Sequence, residues 1–508
     1  MDHGAARASC WVASVPGSAA PPLREAVVRA DVAVVGGGIV GVTTALLLAR
    51  EGRSVVLLEA ARIGGQVTGG STAKITTQHG LVYGEIAARQ GAAAAAVYAQ
   101  SNSAASKWIV DQVRERSIEC DLEICDAYLY TSSAERIGDL EREVAAVRQA
   151  GLAADLTFDV ALPFPAQAAV RFPDQAQFHP VKYVDALGLE LRSLGGQVYE
   201  STRVIDVDHG RPCKVVTEHS RVLADDVVIA THLPILDRGG YFSRAFPYRH
   251  MCVAARLSRQ PSPAGMFLGV DDPTRSFRTA PWGGGERLLV AVGEAFATAQ
   301  TDNVRLLEDI ESFVRTHFGI ETVEYRWGNQ DYYTADRLPF IGALLPSAAR
   351  IRVATGFNAW GITTGTVAAM ILCDDILKRP NPWAALYDSR RLGVKGGLGK
   401  TLAKNAGIAK SWIAEHVGPG PKRTADSLAP GEGDVVQAGD AAVAVFRDAG
   451  GALHAVDPRC THMGCQLRFN AAERSWDCHC HGSRFDLEGN VLNGPAVHPL
   501  ASVEIGEK

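Results

Sequence analysis

Residues 31–59 read DVAVVGGGIVGVTTALLLAREGRSVVLLE. Asp31 to Val35 reads as a buried parallel strand, Ile39 to Arg50 as a helix, and Ser54 to Glu59 as a second strand. Gly36, Gly37 and Gly38 stand between the first strand and the helix, and Gly36, Gly38 and Gly41, the last inside the helix, have the spacing G-x-G-x-x-G. Glycines at those positions permit a tight turn, close approach of the backbone to a pyrophosphate, and close packing of helix on strand. The helix N-terminus favours the phosphate charge. Glu59, 23 residues after Gly36, ends the second strand, where its carboxylate can accept hydrogen bonds from a ribose. The stretch predicts a βαβ unit that holds a dinucleotide.

Further elements follow outward from this unit. Ala92 to Arg116 reads as a packed helix without chemistry, and Lys182 to Leu194 as a helix after His179-Pro180. Gly196 to Asp208 reads as a strand pair, Asp226 to Thr231 as a buried strand, and residues 245–330 as antiparallel strands in a separate sheet. Ile351 to Thr355 returns to buried parallel character, and Thr363 to Leu377 is a helix. After Arg379 the composition shifts to PNP, GVKGGLGK and GPGPK, with an amphipathic helix near Leu402 to His416. Short strands and Gly-rich turns from Asp426 onward predict a small all-β domain. The expected organisation is a lead-in over 1–29, a dinucleotide domain over 30–380 with a substrate subdomain at about 240–330, a linker over 381–425, and the β domain over 426–508.

The bulk composition narrows the function. With 508 residues the chain is too long for one core. It is 47% hydrophobic and 21% charged, ordinary for a globular protein, and its net charge of −5 with no basic stripe argues against a nucleic-acid partner. No apolar run reaches the roughly 18 residues of a membrane span, and residues 1–30 lack a charged start followed by an apolar block. A cytoplasmic location is expected. Gly393 to Thr401 (GVKGGLGKT) imitates a phosphate-binding loop, but it is one residue too long and follows no strand, so it reads as linker.

Of the ten cysteines, Cys460, Cys465, Cys478 and Cys480 fall within 21 residues. They lie in two boxes, CTHMGC at 460–465 and CHCHGS at 478–483, with 15 residues between His462 and Cys478. Such a cluster with interleaved histidines points to metal. Cys460, His462, Cys478 and His481 make the ligand set of a Rieske [2Fe–2S] centre, two thiolates on one iron and two imidazoles on the other. A Cys₂His₂ zinc site is the alternative. It accounts for four ligands but not for the second cysteine of each box, nor for HGS and Gly494-Pro495-Ala496.

The boxes resemble those of Rieske proteins of the respiratory-complex type. The resemblance implies a disulfide between Cys465 and Cys480 and a covering third loop at Gly494-Pro495. This sequence departs from the pattern twice. His479 replaces the proline between the second pair of cysteines, and its imidazole is expected to point to solvent. Phe485 replaces a tyrosine that donates to a cluster sulfur, while Ser483 is retained. Fewer donors stabilise the reduced cluster less, so a potential toward the middle of the range of roughly −150 to +300 mV is expected.

After Glu59 comes the polar, Gly-rich ARIGGQVTGGSTAKITTQHG, and later DRLPFIG and VATGFNAWGITTGTVAAM. Here the chain resembles the D-amino-acid-oxidase-like superfamily of FAD oxidoreductases over roughly residues 30–380. The resemblance implies a Rossmann-like FAD domain with an antiparallel substrate subdomain. It also implies FAD contacts at Ala60, Thr72 and Ala73, an adenine contact at the Val204 backbone, and a helix turn at Gly361, Ile362, Thr363 and Thr364 facing the flavin. No second G-x-G-x-x-G follows a strand, which disfavours NAD(P)H as donor. With GGSTAKITTQHG, QFHPVKY, RTAPWGGGE and ERSWDC as well, the whole resembles bacterial FAD-dependent oxidoreductases with a C-terminal Rieske domain.

The implied activity is oxidation of a small molecule, an amine or amino acid, at FAD, with electrons passed singly through the cluster to an acceptor protein or quinone. The alternative is an electron-transfer or redox-sensing module in which the cluster exchanges electrons with a protein partner. Lys74, His79, Arg278 and Arg337 are the candidate catalytic residues, the arginines for a substrate carboxylate. Trp282, Tyr332, Tyr333 and Trp360 are candidate pocket walls.

Overall fold

Five parallel strands build the first sheet, and the later halves of the two long ones, Val32–Val35 and Val227–Ile229, are apolar and buried on both faces. In order across the sheet they are Ile351–Thr355, Arg221–Ile229, Val27–Val35, Val55–Leu58 and Gln197–Tyr199, with Phe340–Ala343 added antiparallel at the edge. The computed structural model describes residues 7–17, 20–257, 263–299, 302–391, 397–417, 420–439 and 441–504. Helices Ile39–Arg50, Pro180–Ser193 and Thr363–Ile376 pack around this sheet, and their apolar faces join its core. The strand pair expected over 196–208 separates. Gln197–Tyr199 runs parallel to Val55–Leu58, whereas Val204–Asp208 pairs with Cys213–Thr217, which in turn pairs with Arg221–Ile229.

The second sheet contains the strands expected over 245–330, among them Ala245–Leu257, Ser276–Pro281, Arg287–Val292 and Ile320–Thr334. It also recruits Glu123–Thr131 and Ala168–Gln177 from far upstream, and Met266–Gly269 joins Glu123–Thr131 in parallel. This second sheet therefore draws on residues well before 240 and is not wholly antiparallel. Pro173 and the irregular alternation of AAVRFPDQAQ hid the second of these strands.

The lead-in is tied to the loop after Glu59: Ser9 Oγ donates to Gly69 O, and Trp11 Nε1 to Ser71 O. In the expected linker, Ser389 N donates to Ile341 O and Arg391 pairs with Asp336, so the segment up to Arg391 belongs to the first domain's packing. Residues 393–396 of the phosphate-loop imitation lie outside the described residues, as do 418–419 of GPGPK; residues 397–401 open the helix Gly397–Val417. The β domain has one sheet of three strands (Gly433–Ala438, Ala441–Arg447, Leu453–Val456) and one of four (Leu467–Asn470, Ser475–Cys478, Arg484–Phe485, Val491–Asn493). Its core includes Val435, Leu467, Trp476 and Phe485, together with the four box cysteines. Among the described residues no helix is long and apolar enough to cross a membrane.

Candidate functional site

One cavity of about 640 Å³ opens above the first sheet. Gly36, Gly37, Gly38, Glu59, Ala60 and Val204 line one end, while Thr72, Ala73, Gly361, Ile362 and Thr363 also face it. Gly36 has φ +107°, and a Cβ there would lie 2.5 Å from Ala230 O. Gly41 does not line the cavity; a Cβ on it would lie 1.9 Å from Gly36 O, so it acts by letting the helix close on the loop. Thr364 is also absent from the wall, because its Oγ1 turns back to Trp360 O. The helix starting at Ile39 spends its first N–H on Thr68 Oγ1 (3.1 Å), and neither it nor the helix starting at Thr363 is capped by the side chain of its own N-cap residue. Glu59 accepts from Gly37 N (2.6 Å) and Ala61 N (2.8 Å), and burial raises its pKa. These features fit a dinucleotide: a glycine loop packed too closely on its neighbours for a side chain at Gly36, and two helix N-termini, at Ile39 and Thr363, in the wall of the same cavity as Glu59.

The candidate catalytic residues separate. Lys74 lines the cavity, its Nζ donating to Ser276 Oγ (2.5 Å) and Phe267 O (3.2 Å). Burial, then the nearby Arg278, pull its pKa down to about 7. His79 is pinned. Nδ1 meets Tyr98 OH (2.6 Å), Nε2 meets Thr76 O (2.8 Å), and the ring stacks on Trp360 at 4.5 Å. The carbonyl requires Nε2 to carry the proton, and burial pushes the pKa down to about 3. His79 thus stays neutral and holds the turn before Gly361.

Arg278 does not reach the cavity. It is buried behind the wall, donating to the carbonyls of Thr72, Ala73, Phe178 and Thr279, so it holds backbone rather than a substrate carboxylate. Arg337 stands at the cavity wall, paired with Glu85 at 3.0 Å. Tyr333 and Trp360 line the cavity, whereas Trp282 packs on Tyr325 outside it. Sequence reading missed His250, which lines the cavity with Nε2 3.1 Å from Tyr333 OH. Leu129, Leu268, Val270 and Val292 complete an apolar wall nearby.

In the β domain the two boxes converge. His462 and His481 lie with ring centroids 5.0 Å apart at 90°. Their Nδ1 atoms are buried with no hydrogen-bond partner. Interaction between the Cys460 and Cys478 side chains pulls the Cys460 thiol down and pushes that of Cys478 up. Two orphaned imidazole nitrogens beside two thiols, one of them acidified, form a donor set that fits a cluster with two sulfur and two nitrogen ligands. Cys465 and Cys480 are joined by a disulfide. Ser483 also helps to pull the Cys460 thiol down, and its Oγ accepts from Ala496 N at 3.0 Å. His479 does not point to solvent. The helix Gly397–Val417 folds over the second box and buries it, with Nε2 3.5 Å from Glu415.

The imidazole edge of this site is docked on the first domain. His462 Nε2 lies 2.7 Å from Asp237 Oδ1, and the ring of Phe242 stands 5.1 Å from that of His481. Tyr332 OH donates to His481 O and Gln330 Nε2 to Gly482 O, so Tyr332 belongs to this joint and not to the pocket. Gly482 has φ +80°, and a Cβ on it would lie 2.5 Å from Gln330 Nε2. The strand Val491–Asn493 and Gly494 of the third loop line the dinucleotide cavity, and Arg203 donates to Val491 O. A buried ionic quartet completes the joint: Arg249 pairs with Glu473, Arg484 with Glu473 (3.0 Å), and Arg484 with Asp477 (2.9 Å).

A dinucleotide cavity and a Cys₂His₂ cluster site on one chain define a flavin and iron–sulfur oxidoreductase. Residues 31–375 match the FAD dependent oxidoreductase family (DAO), and residues 421–504 match the Rieske [2Fe-2S] domain. The chain belongs to the FAD dependent oxidoreductase family and carries a Rieske domain; it binds FAD and a [2Fe–2S] cluster, so the zinc alternative falls. It is 35% identical over 498 residues, 97% of each chain, to YhfW of Bacillus subtilis (strain 168), named as a Rieske 2Fe-2S iron-sulfur protein. It is 24% identical to gamma-glutamylputrescine oxidoreductase of Escherichia coli (strain K12), covering 68% of this chain and 83% of that one. The glycine oxidase of Geobacillus kaustophilus shares the fold, with TM-score 0.57 and 19% identity over 72% of this chain and 100% of that one.

Proposed function

We propose that this chain oxidises a small amine or amino acid in the cytoplasm and passes the electrons to a protein or quinone acceptor. Bound FAD supplies a two-electron acceptor, and the cluster supplies one-electron exit. The observation that carries this reading is the strand Ile320–Thr334. Its Gln330, Asp331 and Tyr333 line the dinucleotide cavity, and its Gln330 and Tyr332 hydrogen-bond the second cluster box. One rigid element therefore joins both sites.

The residues divide the work. Gly36–Gly38 and the helix start at Ile39 would hold the pyrophosphate, Glu59 the ribose, the Val204 backbone the adenine, and the Gly361–Thr363 turn the far end of the flavin. Lys74, balanced near neutrality, would take or hold a proton beside the substrate nitrogen. His250 and Tyr333 would orient the substrate, and Leu129, Leu268 and Val292 would exclude water. Arg337 would meet a substrate carboxylate at the cavity wall. Similarity to gamma-glutamylputrescine oxidoreductase supports an amine as the reacting group. Because the imidazole edge is covered by Asp237 and Phe242, the acceptor would engage a different face.

The test is an anaerobic screen of amines and amino acids against the holoprotein, followed by flavin absorbance. Bleaching by at least one such compound is expected. Bleaching by none of them, with ready reduction by a protein donor instead, would favour the electron-transfer module.

A further inference from the structure

We propose that Asp237 of the FAD domain lowers the cluster's reduction potential through His462. The inference rests on His462 being a cluster ligand and is independent of the substrate. The two imidazoles have matching inner sides and different outer sides. Both Nδ1 atoms are buried without partners. The outer Nε2 of His462 meets the Asp237 carboxylate at 2.7 Å, while His481 faces the ring of Phe242. Asp237 stands on the short turn Asp237–Gly239, 225 residues from His462, so the contact exists only because the domains dock. The His462 side chain is 5% exposed and that of Asp237 52%, so the imidazole is shielded while water reaches the carboxylate.

A ligand imidazole that donates its outer N–H to a carboxylate is a stronger donor to its metal. The carboxylate also adds negative charge beside a centre that becomes more negative on reduction. Both effects favour the oxidised cluster. The charge acts from the FAD domain, so the docked cluster has a lower potential than the same cluster with a neutral neighbour. Phe485, which lacks a tyrosine hydroxyl, acts in the same direction.

The test uses full-length holoprotein with Asp237→Asn, which keeps an acceptor oxygen and the packing but removes the charge. Iron content is measured first, and the cluster's midpoint potential is then read by EPR at one fixed pH. The expected result is wild-type iron and a reduction equilibrium about tenfold more favourable, which is ~59 mV upward for one electron, with an unchanged flavin midpoint. A purely structural role predicts no shift, and an iron-loaded D237N within twofold of the wild type overturns the proposal. If D237N arrives without iron, D237E must restore both the iron and the low potential. Its failure to restore them also overturns the proposal, whereas failure of the substrate screen leaves it standing.

Discussion

Arg249→Met tests whether the two domains are locked together. Arg249 is 1% exposed at its side chain; its partner Glu473 is 14% exposed, and Arg484 and Asp477, the other members of the quartet, are 9% and 0% exposed. The two cations and two carboxylates balance, and removing Arg249 leaves a buried net charge of −1. Breaking one partner out of a buried ion pair costs roughly 3–5 kcal/mol. Glu473 keeps Arg484 at 3.0 Å and the Asn470 amide at 3.0 Å, which places the expected loss at the low end, about 3 kcal/mol. Adding Glu473→Gln removes the stranded charge, so the double variant should lose about 2 kcal/mol less than the sum of the singles. The assay is urea unfolding of the holoprotein, read by flavin fluorescence and cluster circular dichroism together, so that undocking separates from global unfolding. A loss below about 1 kcal/mol, or strict additivity, would refute the lock. The acid side offers a second check. Burial raises both carboxylates, but Arg249 and Arg484 outweigh it and hold them below the ordinary range. Their stabilisation is therefore complete above the unfolded carboxylate pKa of roughly 4 and is lost as pH falls through the lower folded values.

Gly41→Ala places a Cβ 1.9 Å from Gly36 O, and the purified protein should lose most of its FAD, measured by flavin released per chain. Lys74→Met should abolish an inflection near pH 7 in the rate of substrate-dependent flavin reduction, because Lys74 is held down to about 7. The same variant should flatten stability between pH 7 and 10.5. Over that window the unfolded lysine alone is fully protonated, so wild-type stability rises with pH. Cys465→Ser opens a link across 15 residues and should cost about 3 kcal/mol, read as faster iron loss and a lower thermal midpoint.

What sequence reading recovered is local. GGGIVG works through neighbours within one βαβ unit, and each cluster box through ligands two or three residues apart, so spacing alone reveals them. What it missed depends on residues brought together across the chain. The strand Glu123–Thr131 finds Met266–Gly269 only after a long excursion. Asp237 meets His462 and Arg249 meets Glu473 across the domain joint. Arg278 and Trp282 were reasonable pocket residues by type. Strand alternation decides which face a residue occupies, and one position of shift reverses it. Tyr332 and Tyr333 show this: the first reaches the cluster loop and the second the cavity. His479 reads as a loop residue until the helix Gly397–Val417 folds back over it.

The central claim, that electrons delivered at the cavity reach the cluster inside one chain, is tested most directly by anaerobic rapid mixing of the holoprotein with a reducing substrate. Flavin absorbance and the Rieske EPR signal are followed together at several protein concentrations. Flavin bleaching followed by the reduced-cluster signal, at a rate independent of protein concentration, is the predicted result. A fully bleached flavin beside an oxidised cluster, or a rate that climbs in proportion to protein concentration, would contradict it.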